Sequence, residues 1–144
     1  MGKTEALAYA FRLLARRGLS RARLREKLLA RFPEEEVEAA LVRLEELGYL
    51  NDRAFAETFV AARRKYGPAK LRRLLLAQGV AGEVVEEVLG EVGEAEVLEA
   101  ALRVLRRYPR RHDQAKAVRF LQGRGFPLGV ALEAYRLAKE EENG

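Results

Sequence analysis

Clusters of arginine and lysine are the residues of this sequence whose types and spacing point to a particular chemistry. Three stretches are strongly basic: residues 12–31 with a net charge of +7, residues 63–73 with +6, and residues 103–124 with +7. Guanidinium and ammonium groups bind phosphates and carboxylates through charge-assisted hydrogen bonds. The clusters therefore indicate binding to an anionic partner, either a nucleic acid or an acidic protein surface.

Fourteen cations in these stretches are the predicted contact residues for that partner. Like charges at helical neighbour spacing are mildly unfavourable, so an external anion that neutralises them would offset the cost. Ion pairs with glutamates of adjacent helices, or stabilisation of helix ends by the helix dipole, would account for the same cations without any partner. The predicted contact residues are Arg16, Arg17, Arg21, Arg25, Arg63, Arg64, Lys65, Lys70, Arg72, Arg73, Arg106, Arg107, Arg110 and Arg111.

The residues needed for most kinds of catalysis are missing from the sequence. There is no cysteine and a single histidine, His112, which excludes thiol catalysis, cysteine zinc ligation and two-histidine mechanisms. The carboxylates occur in runs along amphipathic segments, not as an isolated acid–base pair. No glycine-rich phosphate loop precedes a Lys-Ser or Lys-Thr pair. We therefore expect a binding protein that is not an enzyme and that uses no cofactor and no metal.

Length and composition are those of one folded domain. The chain has 144 residues, of which 49% are hydrophobic and 34% charged, and its formal net charge is +5. No apolar run approaches the roughly 20 residues that span a bilayer, and the first residues lack the pattern of a signal peptide. We expect a cytoplasmic protein without a membrane partner. No unpatterned apolar face argues for a dimer, so we expect a monomer.

Helix-ending and helix-starting residues divide the chain into nine predicted helices, because Ala, Leu, Glu and Arg fill the segments between them. The predicted left-handed caps are Gly18, Gly48, Gly67, Gly79 and Gly125. The predicted first-turn or N-cap residues are Pro33, Pro68, Pro127, Ser20, and either Asn51 or Asp52. The predicted helices cover residues 4–17, 20–31, 34–47, 52–66, 68–78, 82–91, 94–107, 112–123 and 127–141.

The predicted helices form three copies of a three-helix unit. Apolar positions recur at a spacing of 47 and then 46 residues, and this range is typical of helical repeat arrays. The aligned columns are Leu24, Leu71 and Ala117; Leu28, Leu75 and Leu121; Val37, Val84 and Val130; and Leu41, Val88 and Ala134. The sequence thus predicts an all-α fold, an elongated array of three tandem repeats over residues 1–50, 51–92 and 93–144.

Charge follows the same period as the apolar residues. Acidic stretches follow the first two basic ones, with a net charge of −6 over residues 34–57 and −7 over residues 83–99. If the repeats stack in register, their basic halves form a continuous stripe. Tyr66 and Tyr108 end two basic segments, where packing is favoured over stacking on a base. The acidic segment Glu140–Glu142 is expected to fray.

Three motifs resemble those of a known family, the RecX regulatory proteins. The segment 44–56, LEELGYLNDRAFA, is similar to that family's most distinctive motif. The runs from Leu14 through Leu28 and from Arg63 through Val80 are similar to its first and third motifs. The resemblance covers residues 6–92. Arg23 departs from the pattern, because that position usually holds an acidic residue in the family.

The resemblance implies a fold and a function. The implied fold is an all-helical array of three-helix repeats. Members modulate the RecA recombinase in DNA recombination, DNA repair and the SOS response. They bind the RecA–DNA filament in its helical groove and inhibit ATP hydrolysis, strand exchange and coprotease activity. The implied partners are the RecA recombinase filament and, weakly, single- and double-stranded DNA.

Two further functions are compatible with the residues alone. A stand-alone DNA-binding protein would place a helix-turn-helix-like pair, residues 20–31 and 34–47, in the major groove. The first turn of its recognition helix would carry Glu34, Glu35 and Glu36, which repel phosphates. A helical adaptor would bind an acidic protein surface without nucleic acid, and its binding would be insensitive to salt.

Overall fold

The computed structural model describes residues 2–143 and, from residue 5 onward, their side chains. This part of the chain forms nine α-helices and no strand, so the predicted all-α class is confirmed. None of these helices is long and apolar enough to cross a membrane. They are α1 (Gly2–Arg16), α2 (Arg21–Leu29), α3 (Glu34–Glu46), α4 (Asp52–Ala62), α5 (Pro68–Ala77), α6 (Gly82–Gly90), α7 (Glu94–Arg106), α8 (Gln114–Gly123) and α9 (Leu128–Asn143).

The largest departure from the predicted helix bounds is the end of α4. This helix was predicted to reach residue 66 but ends at Ala62. The backbone then tightens into turns, with the Arg63 N–H bonded to the Val60 carbonyl at 3.1 Å and the Tyr66 N–H to the Arg63 carbonyl at 3.1 Å. The basic residues 63–65 therefore lie in a turn and not in the last turn of a helix.

Side-chain caps start α2 and α4 as predicted. The Ser20 hydroxyl accepts a hydrogen bond from the Arg23 N–H at 3.2 Å. The Asn51 side-chain oxygen accepts one from the Ala54 N–H at 3.0 Å, so Asn51, and not Asp52, is the N-cap of α4. Each cap satisfies a backbone donor that has no partner within the helix.

Three of the five predicted left-handed caps are confirmed and two are wrong. Gly48, Gly79 and Gly125 have φ of 81°, 84° and 96°. Gly18 and Gly67 do not have a positive φ. Gly67 follows the turn after α4 and is needed for another reason, because a Cβ there would lie 2.5 Å from the backbone carbonyl of Gly125.

Two compact units make up the chain: Met1–Thr58 with Leu75–Val85, and Phe59–Leu74 with Glu86–Gly144. In the first unit α1 packs on α3, and α2 packs on both. The main core cluster of these three helices is mostly leucine. It consists of Ala10, Leu19, Leu24, Leu28, Val37, Leu41, Leu44 and Leu50.

The second unit has the same kind of helix packing. Here α7 packs on α9, and α8 packs on both. Alanines of α7 and α9 are buried between these two helices. The core residues are Ala100, Ala101, Leu102, Leu105, Ala117, Val118, Leu121, Phe126, Ala131, Ala134 and Ala138.

Burial agrees with the predicted repeat in three of its four columns. Val84 and Val130, in the remaining column, are only half-buried, and the adjacent Val85 and Ala131 are fully buried in their place. The reason is that α5 and α8 have ten residues each and α2 has nine, so the third helix of the second and third repeats is displaced by one position. The repeat boundaries stay a prediction.

In the first unit, the turn between α5 and α6 lies against the start of α2. The buried Ser20 hydroxyl donates to the Gln78 carbonyl at 2.6 Å. A Cβ on Gly79 would lie 2.4 Å from the Ala22 Cβ, so only glycine fits there.

In the second unit, the turn between α8 and α9 makes the equivalent contact with the start of α5. The Gly67 N–H donates to the Arg124 carbonyl at 2.7 Å, and the Ala69 N–H to the Gly125 carbonyl at 3.1 Å. A Cβ on Gly125 would lie 2.5 Å from the Lys70 backbone nitrogen. Backbone atoms cannot yield as a flexible side chain can, so the contact requires glycine.

We predict that Gly125→Ala lowers the free energy of unfolding by at least about 2 kcal/mol. Left-handed backbone strain costs an ordinary residue about 1–2 kcal/mol, and the clash with Lys70 adds to it. The matched control is Gly123→Ala, two residues earlier in α8, where nothing lies within 4 Å of an added Cβ. That control should be neutral or stabilising by up to about 1 kcal/mol. Urea denaturation measures both, and equal stabilities would contradict the prediction.

Candidate anion-binding surface

Arg16 and Arg17 are exposed at the end of α1 in the first unit. The Arg17 N–H continues the helical pattern with a 3.4 Å bond to the Leu13 carbonyl. Within the described part of the chain, no ion pair involves either guanidinium. Basic groups at a helix C-terminus interact favourably with the helix dipole, which accounts for their position without assigning them a partner.

Arg21 and Arg25, on α2, are paired with glutamates of α3. Arg25 Nε lies 2.5 Å from Glu38, and Arg21 Nη2 lies 3.4 Å from the same carboxylate. Glu45 and Glu34 complete the network at 3.1 Å from Arg21 and 3.0 Å from Arg25. The hydrogen bond from Arg25 lowers the pKa of the Glu38 carboxyl. Ion pairing within the protein therefore accounts for these two arginines.

Arg63 and Lys70, in the second unit, each lie over an aromatic ring. The guanidinium carbon of Arg63 lies 3.5 Å from the centre of the Phe59 ring, and its Nη1 donates to the Phe59 carbonyl at 3.2 Å. The Lys70 ammonium lies 4.1 Å from the centre of the Tyr66 ring. These contacts are cation–π interactions, and they fix Arg63 and Tyr66 by packing.

Arg72 and Arg73, on α5, differ in their surroundings. Arg72 forms a two-pronged pair with Glu86 of α6, with its Nε and Nη2 at 2.7 and 3.0 Å from the two carboxylate oxygens. The hydrogen bond from Arg72 lowers the pKa of the Glu86 carboxyl. Arg73 is exposed and has no ion pair among the described residues.

The acidic end of α9 pairs with two predicted contact residues. Arg106 binds Glu141 through its Nε and Nη2 at 3.1 and 2.5 Å, and Arg111 binds Glu142 at 3.2 Å. The expectation that residues 140–142 fray is wrong, because α9 continues to Asn143. The two ion pairs, together with the His112 Nδ1 at 2.8 Å from Glu142, explain this continuation.

Arg64, Lys65 and Arg107 are brought together in one groove of the second unit. We call it the cationic groove; its volume is about 490 Å³. Arg103 and Arg124 also line it, together with apolar atoms of α7, the following turn and α8. The described lining residues include no carboxylate. They are Arg64, Lys65, Arg103, Val104, Arg107, Tyr108, Pro109, Phe120 and Arg124.

A pair of aromatic rings forms the apolar part of the cationic groove. Tyr108 and Phe120 stack with ring centres 4.0 Å apart and an interplanar angle of 1°. The Arg124 guanidinium carbon lies 5.2 Å from the centre of the Phe120 ring. The packing role that the sequence favoured for Tyr108 is therefore observed, although the residue also lines the groove.

Two groove cations, Arg103 and Arg124, were absent from the predicted contact set. Both lie within the basic stretch 103–124, so charge alone gave a signal for them. Residue types could not show that the turn after α4, the end of α7 and the end of α8 meet at one groove. Arg110 is exposed in the turn after α7, outside this groove, and has no ion pair among the described residues.

Metal-binding side chains do not converge in the part of the chain that the structure describes. No cluster of three or more His, Cys, Asp or Glu side chains is arranged to bind a metal ion there.

Two domain models of one protein family match successive three-helix segments of the chain, and named relatives match nearly its whole length. The family model described as "RecX, first three-helix domain" matches residues 6–44, and "RecX, second three-helix domain" matches residues 51–89. The chain is 68% identical over 142 residues to a protein named regulatory protein RecX from Thermus thermophilus, covering 98% of this chain and 97% of that protein. It is 38% identical over 148 residues to the protein of the same name from Chlorobaculum tepidum, covering 98% and 92%.

Solved structures show the same fold. The crystal structure of RecX from Lactobacillus salivarius superposes with a TM-score of 0.87 at 19% identity, covering 96% of this chain and 97% of that one. A second structure, of regulatory protein RecX, gives a TM-score of 0.79 at 22% identity, covering 96% and 73%. The resemblance detected in the sequence motifs is confirmed by the family models and the relatives, and the chain belongs to the RecX family of regulatory proteins.

Proposed function

We propose that this protein binds the DNA filament of a RecA-type recombinase and inhibits its ATPase, strand-exchange and coprotease activities. The observation that carries the proposal is that eight predicted contact residues form no ion pair within the described part of the chain, so their charges are available to an external anion. These residues are Arg16, Arg17, Arg63, Lys65, Lys70, Arg73, Arg107 and Arg110.

The proposed mechanism requires binding and no catalytic group. Cations on the regulator meet DNA phosphates, or carboxylates of the recombinase, along the filament groove. A ligand that binds one filament state more tightly than another shifts the filament toward that state, and this is sufficient for inhibition. The protein would then act in the cytoplasm, in DNA recombination, DNA repair and the SOS response, with weak affinity for free single- and double-stranded DNA.

The exposed pair Arg16 and Arg17 gives the cleanest test in the first unit. We predict that Arg16→Glu with Arg17→Glu raises the concentration needed for half-inhibition of the recombinase's DNA-dependent ATPase by at least about tenfold. A lost charge-assisted contact is worth about 1.5–3 kcal/mol, and about 1.4 kcal/mol is a factor of ten. A steady-state ATPase titration measures this.

The matched control for that test is Lys27→Glu with Arg43→Glu. Both residues are exposed in the first unit, lie outside the predicted contact set, and give the same change in net charge. The control should inhibit within about threefold of the parent protein, as expected for exposed charges away from the contact. Equal losses in the two variants would contradict the assignment of Arg16 and Arg17, and no inhibition by the parent protein would contradict the proposed function.

Salt dependence tests the role of phosphates. If about six phosphates are neutralised, log K for duplex DNA should fall against log [salt] with a slope of about −5. Filter-binding or anisotropy titrations over a salt series measure the slope. A slope near zero would exclude phosphate contacts and favour an adaptor for proteins. One strongly protected site in a footprint would favour the stand-alone helix-turn-helix-like protein.

A further inference from the structure

We propose that the cationic groove of the second unit binds a single strand of nucleic acid, with the phosphates on its cations and one base against Tyr108. The proposal rests on the function proposed above and deepens it, because it assigns one part of the surface to one form of DNA. It also adds Arg103, Arg124 and Tyr108, which sequence analysis did not place in the contact set.

The charges of the groove indicate a polyanionic occupant. Five cations line it and the described lining residues include no carboxylate. Only two of the five have a glutamate partner, and both contacts are long: Arg64 to Glu96 at 3.5 Å and Arg103 to Glu99 at 3.5 Å. Converging like charges repel one another, and binding of an anion relieves that repulsion.

The number of groove cations, and the separate segments that carry them, suit a chain of phosphates. Lys65 lies in the turn after α4, Arg107 directly after α7, and Arg124 directly after α8. The cations therefore come from three separate segments of the chain. Successive phosphates of one strand can each meet a different cation of the groove, whereas a single phosphate would leave others without a partner.

The stacked rings of Tyr108 and Phe120 indicate that the ligand also presents a flat group to the groove. Tyr108 is half-buried, lines the groove, and is held parallel to Phe120 at 4.0 Å. A ring fixed in this way loses little conformational freedom when a flat partner packs against it. Nucleic-acid bases stack on such rings regardless of sequence, because every base has a π face.

The need for an accessible base face favours a single strand over a duplex. In a duplex the base faces are covered by neighbouring base pairs, and only base edges and the backbone reach the surface. A duplex can therefore meet the cations but not Tyr108. An acidic peptide can also meet the cations, but it carries no base to occupy the aromatic part of the groove.

The test uses the full chain and a fluorescein-labelled oligothymidylate, with no recombinase present. Arg107→Gln with Arg124→Gln should weaken binding by at least about tenfold. The slope of log K against log [salt] should become shallower by about 1.4, since each phosphate contact on a single strand contributes about 0.7. Anisotropy titrations over a salt series measure both quantities.

The matched control is Arg119→Gln with Lys139→Gln. Both cations are exposed in the second unit, lie outside the groove, and give the same change in net charge. We expect less than about a threefold change in affinity. Equal weakening by the two pairs would overturn the proposal, because it would show attraction to overall charge and not to the groove.

Tyr108 provides the second arm. Tyr108→Leu should weaken oligothymidylate binding about tenfold while Tyr108→Phe retains it, because stacking needs the ring and not the hydroxyl. An oligonucleotide that contains 5-iododeoxyuridine should photo-cross-link to Tyr108 of the unmodified protein. This measurement does not depend on whether a Tyr108 variant folds. A cross-link confined to another region, or polyglutamate that competes as well as oligothymidylate, would overturn the proposal.

Failure of this proposal is distinguishable from failure of the proposed function. Recombinase ATPase inhibition is measured separately on the same variants. If the parent protein does not inhibit the recombinase ATPase, the proposed function is contradicted, and the result for oligothymidylate binding is unaffected. Intact inhibition together with the predicted loss of oligothymidylate binding in the Arg107 and Arg124 variant would support the groove and separate it from the filament contact.

Discussion

The close approach of a glycine turn to the start of a preceding helix is the contact on which each unit depends. In the first unit the contact joins Ser20 to Gln78, and Gly79 leaves no room for a side chain beside Ala22. In the second, Gly67 and Gly125 meet through backbone atoms. The two contacts occupy equivalent positions, so one repeat packs on the next in the same way twice. The contact also positions Arg124, because this residue directly precedes Gly125 in the turn.

Much of the fold was predictable because its determinants are local. Ser20, Asn51 and Gly48 act within one turn of the chain, so their residue types suffice to place helix ends. Gly67 was misassigned for the opposite reason, since what forbids a side chain there is Gly125, far away in sequence. The burial of Val85 in place of Val84 likewise follows from the length of α5, which residue types alone do not fix.

The candidate site was less predictable than the fold because charge does not reveal partners. The basic stretches identified the right residue class, yet Arg25 and Arg72 turned out to bind glutamates of the following helix, and Arg63 covers Phe59. The cationic groove combines residues from three segments, 64–65, 103–109 and 120–124, and only tertiary packing brings Arg64 and Arg124 to one place. The repeat period of the sequence could not predict this groove.

Repeat equivalence separates the arginines that stabilise the fold from those available for binding. Arg25 with Glu38 and Arg72 with Glu86 are the same ion pair in successive repeats, each joining the second helix of a repeat to the third. At this position of the second helix, a glutamate of the third helix lies within reach in both repeats. Cations in the turn after the first helix of a repeat differ from one another, since Arg64 lies 3.5 Å from Glu96 and Arg111 lies 3.2 Å from Glu142. Arg17 and Arg110 lie in such turns and keep no ion pair among the described residues. Segregated charge within one repeat can thus serve cohesion, through the ion pairs of Arg25 and Arg72, and recognition, through cations such as Arg17 and Arg110 that keep no ion pair among the described residues.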